Sequence, residues 1–300
     1  MADKLTILLF HRVIPDEMAK NSKFDPEYTL ALSLFRASVS LLARQYSVIS
    51  LRELFAWIDG GPELPTRPLL ITFDDGWSDT AQYAAPVLNS LRLPAVAFVA
   101  SDAIADVTPT WWQDAVRAEG TQAGRSFHER LVEVARDPAA RNALLARTAP
   151  DEPGVRQMMG AKELGNLPSM GIAIGAHSAG HLPLTLLADD EINADLARAR
   201  HALSDWLDPA AAAVASRCLA FPHGRYDARV IALARSAGFD LLFTSDPCLN
   251  RLIRQPPYLF GRIALSTAAI AGPDGSLAPD RLATWLLARP ALKLAQPKPP

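Results

Sequence analysis

Short apolar runs alternate along the chain with longer segments in which apolar residues recur every three or four positions. The short runs are continuous rather than alternating, which is typical of strands buried on both faces of a parallel sheet. The longer segments are typical of amphipathic helices. The runs predict strands at Leu5–Phe10, Leu69–Phe73, Ala95–Val99, Ile172–Gly175, Cys218–Phe221 and Leu241–Thr244. The periodic segments predict helices at Thr29–Gln45, Leu51–Ile58, Thr80–Leu91, Trp111–Ala118, His128–Ala135, Ala188–Leu207 and Ala228–Ala237.

This alternation of strands and helices indicates an α/β fold with a largely parallel sheet, either a barrel or an open doubly wound sheet. Neither an internal repeat nor a convincing linker divides the sequence, so we expect a single domain over residues 1–285. The Arg- and Ala-rich stretch around residues 120–155 has little strand character and predicts a helical insertion. Residues 286–300, which end in Gln-Pro-Lys-Pro-Pro, predict a disordered tail.

Composition excludes several classes of protein. With 30 Lys and Arg against 32 Asp and Glu, the net charge is -2, and the basic surface that a nucleic-acid-binding protein needs is not visible. Two cysteines among 300 residues do not make a disulfide-dense secreted scaffold. The apolar run Leu5–Phe10 is too short for a signal peptide, and no apolar stretch is long enough to span a membrane. We therefore expect a cytoplasmic protein.

Chemically versatile side chains follow four of the predicted strands directly. Parallel α/β folds build their active sites at the carboxyl ends of the strands. The side chains at these ends are His11, Asp74, Asp75, His177 and His223. Of the six histidines, only His128 and His201 lie in charged helical segments, where we expect them to be solvated.

Two imidazoles four residues apart, His177 and His181, could bind one ion from a helical turn or from a tight loop. Two unrelated histidines on a helix face would show the same spacing, but Gly180 and Pro183 disfavour a long helix here. A catalytic zinc ion takes three protein ligands and leaves a position for water. A carboxylate from another strand end could be the third ligand.

The Asp74-Asp75-Gly76 sequence has two interpretations. By itself it is most often a turn or a helix N-cap. In a metal site, one carboxylate would bind the ion while the other takes a proton from the attacking water. The turn Phe221–Gly224 could likewise be a plain turn, or it could present a backbone N–H group to an oxyanion.

Five segments together resemble the NodB-homology polysaccharide deacetylases, carbohydrate esterase family 4, over residues 5–265. The segments are LLFHRV at Leu8–Val13, TFDDG at Thr72–Gly76, HSAGH at His177–His181, FPHG at Phe221–Gly224 and GRI at Gly261–Ile263. The resemblance implies a distorted (β/α)7-type barrel of the NodB/glycoside hydrolase-deacetylase type. It also implies metal-dependent removal of an acetyl group from an acetylated carbohydrate.

Carried over to this sequence, the resemblance assigns Asp75, His177 and His181 to a divalent metal ion. Zinc is the first expectation, with cobalt, nickel and manganese as alternatives. Asp74 would be the general base, and the backbone N–H of His223, where the family usually has Tyr, would bind the oxyanion. The resemblance and the strand-end positions assign substrate contacts to His11, Phe221, Pro222 and Gly224, and Trp111 is a further candidate because an aromatic face can pack on a sugar ring.

The sequence departs from the family pattern at two points. No histidine follows His223, so the late general acid of many family members has no counterpart, and the proton donor could be His223, His11 or Asp74 itself. The arginine that orients the base in the family's third motif is also missing near Leu219. Trp111 could stack on a sugar ring or begin a buried helix.

Three functions remain open at this point. The first is a metal-dependent deacetylase of an N-acetylated sugar or glycan precursor. The second is a related hydrolase of non-peptide C–N bonds in a non-sugar substrate. The third is a glycan-binding relative without turnover. The sequence contains neither the nucleophile elbow of serine hydrolases nor a glycine-rich phosphate-binding loop.

Overall fold

The apolar runs become strands of one curved sheet in the computed structural model, which describes residues 4–20, 27–105, 137, 139 and 157–288. The strands are β1 Lys4–Phe10, β2 Arg12–Ile14, β3 Thr29–Ala31, β4 Ser47–Val48, β5 Pro68–Phe73, β6 Ala95–Val99, β7 Ile172–Ala176, β8 Cys218–Ala220, β9 Leu241–Phe243, β10 Asn250–Arg251, β11 Tyr258–Phe260 and β12 Ile263–Ala264. The α-helices are Asp16–Ala19, Leu32–Ala43, Leu51–Ile58, Ala85–Leu91, Ser101–Ile104, Ala161–Asn166, Asp189–Trp206, Pro209–Ala215, Ala228–Ser236, Thr267–Ile270 and Pro279–Leu287. A π-helical turn covers Thr80–Ala84, and 3₁₀ turns cover Leu167–Met170, Leu184–Leu186 and Pro222–Gly224.

The sheet is a nearly closed barrel of parallel strands. Its order is β12-β1-β5-β6-β7-β8-β9-β11, with β10 antiparallel to β1 and β4 parallel to the start of β5. β2 and β3 form a separate parallel pair. This arrangement confirms the predicted α/β barrel.

The seam of the barrel lies between β11 and β12, which only Gly261 and Arg262 separate. The Asn250 side chain bridges this seam: its amide nitrogen donates to the backbone oxygens of Leu5, at 3.3 Å, and Gly261, at 2.8 Å. The backbone N–H of Gly261 donates in return to the Asn250 side-chain oxygen. The seam residue Gly261 is therefore tied to β1 through the Asn250 side chain, and the short β12 also pairs with β1 in the sheet.

Alternate residues of the main barrel strands pack into two different cores. In β5, Leu69 and Ile71 join the larger core with the helices, whereas Leu70 joins a second core inside the barrel. The helix Leu51–Ile58 packs its apolar face on this inner core. A capping box begins that helix, because Ser50 and Glu53 exchange side-chain-to-backbone hydrogen bonds.

The predicted elements are found with small shifts at their ends. The segment predicted as the helix Thr29–Gln45 begins as β3, and its helix covers Leu32–Ala43. The helix Pro279–Leu287 includes the first two residues of the predicted tail. Both the predicted insertion, except residues 137 and 139, and the predicted helices at 111–118 and 128–135 lie outside the described residues. None of the helices in the described ranges combines the length and the apolarity needed to cross a bilayer.

Candidate metal centre

Strand alternation places three of the predicted site residues at the carboxyl end of the barrel. Along β5, Leu70 packs in the inner core, so Asp74, four residues later, points to the same side just beyond the end of the strand. The same period of two carries Ile7 to His11 beyond β1 and Gly175 to His177 beyond β7. The positions of these side chains follow directly from the register of the strands.

The other two predicted ligands depend on left-handed backbone rather than on the strand period. Asp75 has φ of +76° and His181 has φ of +54°, in a region that non-glycine residues occupy at a cost in free energy. Ser178, also at positive φ, accepts a hydrogen bond from the His181 backbone N–H at 3.0 Å. The HSAGH segment is therefore a tight loop and not a helix, one of the two predicted forms.

Asp75, His177 and His181 converge into a buried cluster whose ligand atoms lie within 4.8 Å of one another. Oδ1 of Asp75 lies 3.4 Å from Nε2 of His177 and 3.1 Å from Nε2 of His181. Nδ1 of His177 donates to the backbone oxygen of Ala220 at 2.8 Å, which leaves Nε2 as the nitrogen that faces the carboxylate and would bind an ion once deprotonated. One carboxylate oxygen and two imidazole nitrogens suit a divalent ion such as zinc.

The electrostatics of this cluster favour a cation. Burial alone would raise the pKa of Asp75, but the imidazoles of His181 and His177 outweigh it and hold that pKa well below its usual value. Burial alone would lower the pKa of His177, but Asp74 and Asp75 reverse the shift and raise it. At His181 burial prevails over Asp75, so its pKa is lowered and the neutral, metal-binding form is favoured.

Asp74 stands beside the cluster, with Oδ2 at 3.8 Å from Nε2 of His177. Arg262 grips both of its carboxylate oxygens, at 2.6 and 2.7 Å, and donates from Nε to the backbone oxygen of Thr244. Burial alone would raise the pKa of Asp74, but the Arg262 guanidinium outweighs it and lowers the pKa. Asp74 is thus an ionised carboxylate fixed in orientation.

The sequence offers no arginine near Leu219 for Asp74, and in the structure the arginine that contacts Asp74 is Arg262, from the seam between β11 and β12. The GRI segment was part of the recognised resemblance, but Arg262 was not predicted as a site residue. A signal was present, because this arginine stands between apolar strand residues, where a charged side chain needs a buried partner.

Asp195 is a second residue that the sequence analysis missed. It lies on the helix Asp189–Trp206 and accepts hydrogen bonds from the backbone N–H groups of Ala179, at 2.8 Å, and Gly180, at 2.9 Å. Burial raises its pKa in spite of these bonds. Asp195 holds the loop between the two histidines, and its position on the apolar stripe of its helix, beside Leu196, was the available signal.

His223 and His11 also lie near the cluster. Nε2 of His223 donates to the backbone oxygen of His181 at 3.1 Å, and the two rings are 4.4 Å apart. Burial and the neighbouring His181 hold the pKa of His223 well below its usual value. The pKa of His11 is also lowered by burial, against the attraction of Asp75 and Asp74. The ring of His11 meets Tyr28 edge-on at 4.9 Å.

The remaining residues that the sequence predicts as substrate contacts are buried, closely packed or outside the described residues. Phe221 is fully buried and stacks on Tyr226 at 5.5 Å, and Pro222 is buried beside it. Gly224 has φ of +61° and packs so closely on Ser245 that a side chain would not fit. Trp111 lies outside the described residues.

A model of the polysaccharide deacetylase family matches residues 61–242, more than half of the chain. This chain belongs to the polysaccharide deacetylase family. The match confirms the resemblance found from the five sequence segments, and it covers both the TFDDG and the HSAGH motifs. Among proteins of curated function, no sequence matches the chain.

Solved structures similar to this family member cover nearly all of it. The deacetylase PplD of Streptococcus pyogenes, in complex with acetate, aligns with a TM-score of 0.64 at 14% identity, covering 95% of this chain and 99% of the other. IcaB of Ammonifex degensii aligns with a TM-score of 0.61 at 22% identity, covering 95% and 97%. A de-N-acetylase of Aggregatibacter actinomycetemcomitans gives 0.65 at 15%, covering 95% and 100%. At these identities the likeness establishes a shared fold.

Proposed function

We propose that this chain is a metal-dependent hydrolase that removes the acetyl group from an N-acetylated sugar or glycan precursor. The observation that carries the proposal is the buried cluster of Asp75, His177 and His181, whose ligand atoms lie within 4.8 Å of one another, with the ionised Asp74 beside it. Family membership supports deacetylation of a sugar polymer as the reaction.

Asp75, His177 and His181 would hold the ion. A bound divalent cation acts as a Lewis acid that polarises the acetyl carbonyl and lowers the pKa of the attacking water. The donor set of two imidazoles and a carboxylate suits zinc, which is our first choice. It also suits cobalt, nickel and manganese.

Asp74 would take the proton of the attacking water on one of its carboxylate oxygens. Arg262 keeps this carboxylate ionised and fixed, which is what a general base needs before the reaction. The backbone N–H of His223 would stabilise the oxyanion that forms when the carbonyl carbon becomes tetrahedral. The C–N bond then breaks, acetate leaves, and the amine nitrogen takes up a proton.

Asp74, which took a proton from the water, is our choice as the source of that proton, and His11 and His223 are the other two predicted candidates. Nε2 of His223 already donates to the His181 backbone oxygen. His11 follows β1, which pairs with β5, and it interacts electrostatically with both Asp74 and Asp75. We therefore propose that His11 passes the proton from Asp74 to the amine, because burial lowers the pKa of His11 and a neutral imidazole must receive a proton before it can donate one.

Acetate release from N-acetylglucosamine oligomers tests this proposal. We expect the purified chain to release acetate, to lose this activity when a chelator strips it, and to regain it with added zinc or cobalt. Undiminished acetate release by the stripped protein would contradict the metal dependence. A metal-loaded protein that releases no acetate from any N-acetylated sugar would contradict the substrate class, and hydrolysis of a non-sugar amide would then identify the alternative.

A further inference from the structure

Asp75 uses its two carboxylate oxygens for different partners. Oδ1 faces the imidazoles of His177 and His181. Oδ2 accepts a hydrogen bond of 2.9 Å from the indole N–H of Trp77, a residue that is 3% exposed. We propose that Trp77 is a positioning residue for the metal site: its N–H holds Oδ2 so that Oδ1 is presented to the ion. This inference rests on the proposed role of Asp75 as a metal ligand.

The indole ring of Trp77 is held in place by a buried ion pair. The Arg12 guanidinium carbon lies 4.5 Å from the centre of the ring, a cation–π distance. Nε of Arg12 donates to Oδ2 of Asp79 at 2.7 Å, and Oδ1 of Asp79 accepts from the backbone N–H of Val13 at 3.1 Å. The ring therefore packs against a guanidinium that is itself anchored to β2.

The backbone on either side of Trp77 is also fixed. The Gly76 backbone oxygen accepts from the N–H of Met159 at 3.0 Å, and the Ser78 N–H donates to the backbone oxygen of Gln157 at 2.8 Å. Gly76 has φ of +95°, and a side chain there would meet Ile104 at 2.9 Å. Hydrogen bonds thus fix the backbone before and after Trp77, and this restricts the direction in which the indole N–H can point.

This arrangement makes a rotation of the Asp75 carboxylate costly, because turning Oδ1 away from the histidines would break the bond to the indole. Partners that orient a ligand in this way typically change metal affinity about 10- to 100-fold. A simpler interpretation is that a buried indole needs an acceptor and finds the nearest one. That interpretation predicts a loss of thermal stability without a change in the metal site.

The substitution Trp77→Phe separates the two interpretations, since it removes the N–H and keeps an aromatic ring for Arg12. The matched control is Trp57→Phe. Trp57 is 2% exposed, and its indole N–H donates to a carboxylate oxygen of Glu63 at 3.1 Å, outside the metal cluster. For each protein we would measure the zinc dissociation constant by competition with a chromophoric chelator, the absorption spectrum at saturating cobalt, and the melting temperature without metal.

We expect Trp77→Phe to raise the zinc dissociation constant about tenfold or more and to change the cobalt spectrum, and Trp57→Phe to alter neither. A zinc dissociation constant within twofold of the wild type, with an unchanged cobalt spectrum, would overturn the inference even if the melting temperature fell. A wild-type chain that binds neither ion would overturn the proposed function together with this inference. The two failures are distinct, because the wild-type titration reports on the function and the ratio of variant to wild type reports on Trp77.

A second variant keeps the test available if Trp77→Phe does not fold. Arg12→Gln combined with Asp79→Asn replaces the buried ion pair by a neutral pair and leaves Trp77 and Asp75 intact. We expect its zinc dissociation constant to rise, by less than in Trp77→Phe, because the ring loses its support and keeps its N–H. Wild-type zinc affinity in this double variant would overturn the role given to the ring's anchoring.

Discussion

Two arginines form ion pairs with aspartates at opposite ends of the barrel. One of these pairs is buried and the other is exposed, so they show how burial changes the effect of an Arg–Asp pair. Arg262 pairs with Asp74 at the carboxyl end, where the side chains are 1% and 4% exposed. Arg217, just before β8 at the amino end, pairs with Asp59 and Asp240, where the side chains are 34%, 53% and 50% exposed. The geometry is similar, but water screens only the second pair.

The contrast in burial explains why the Arg262–Asp74 pair, and not the Arg217 pair, is a candidate for a functional role. A buried pair lacks solvation, so removing one partner leaves an uncompensated charge, whereas an exposed pair contributes little because water replaces it. The positive φ angles of Asp75 and His181 occur at the same end as the buried pair. Strain and desolvated charge thus coincide at the carboxyl end of the barrel, as they commonly do in active sites.

The largest difference is expected between the effects of Asp74→Asn and Asp59→Asn on acetate release. Asp74→Asn should reduce acetate release about 100- to 10,000-fold, because an amide cannot accept the proton of the attacking water. Zinc affinity should stay close to that of the wild type. Asp59→Asn, the matched change in the exposed pair, should leave turnover unaltered. Steady-state kinetics with zinc titrations check both, and retained turnover in Asp74→Asn would contradict Asp74 as the base.

The two arginines should differ next in stability. Arg262→Met should lower the free energy of unfolding by about 3–5 kcal/mol, because it leaves Asp74 buried without a partner. Arg217→Met should cost about 0–1 kcal/mol, since Asp59 and Asp240 remain hydrated. Denaturant unfolding at pH 7 measures both values. Equal losses in the two variants would mean that burial does not distinguish the pairs.

A smaller effect is expected on the pH dependence of turnover. Arg262 lowers the pKa of Asp74, so Arg262→Met should raise that pKa and move the acid limb of the kcat/KM profile to higher pH. A movement of about one pH unit corresponds to about 1.4 kcal/mol of lost charge stabilisation. Arg217→Met should leave the limb in place. An acid limb that stays unchanged in Arg262→Met would show that Asp74 is not the group titrating there.

The smallest effect is expected for the contribution of the exposed Arg217–Asp59 pair to the free energy of unfolding. The hydrogen bond from Arg217 lowers the pKa of Asp59 against the opposing effect of burial. Its contribution to stability is therefore complete above the unfolded pKa of about 3.9 and is lost as the pH falls through the lower folded pKa. We expect Asp59→Asn to cost less than about 1 kcal/mol at pH 6, and this difference to shrink below pH 4. A difference in unfolding free energy between the wild type and Asp59→Asn that grows as the pH falls would contradict a lowered pKa for Asp59.

The sequence predicts those parts of the site that depend on strand register. Continuous apolar runs locate β1, β5 and β7, and the period of two then places His11, Asp74 and His177 at one edge of the sheet. The HSAGH spacing adds His181, because Gly180 and Pro183 disfavour a helix. These inferences need only local patterns.

The residues that the sequence analysis missed reach the site through long-range packing. Arg262 meets Asp74 only because the two-residue seam between β11 and β12 closes the barrel next to β1. Asp195 meets the histidine loop because the helix Asp189–Trp206 packs against it. β11 and β12 have three and two residues, too few for a periodic pattern, so neither contact has a local signature beyond a charged residue in apolar surroundings.

Zinc titration of the metal-stripped chain tests the central claim most directly, with His181→Ala compared to His201→Ala. His201 lies on the helix Asp189–Trp206 with 80% of its side chain exposed, away from the cluster. We predict that the wild type and His201→Ala bind one equivalent of zinc tightly, and that His181→Ala loses this site. Equal zinc binding by His181→Ala and the wild type, or no zinc binding by the wild type, would contradict the claim that Asp75, His177 and His181 hold a metal ion.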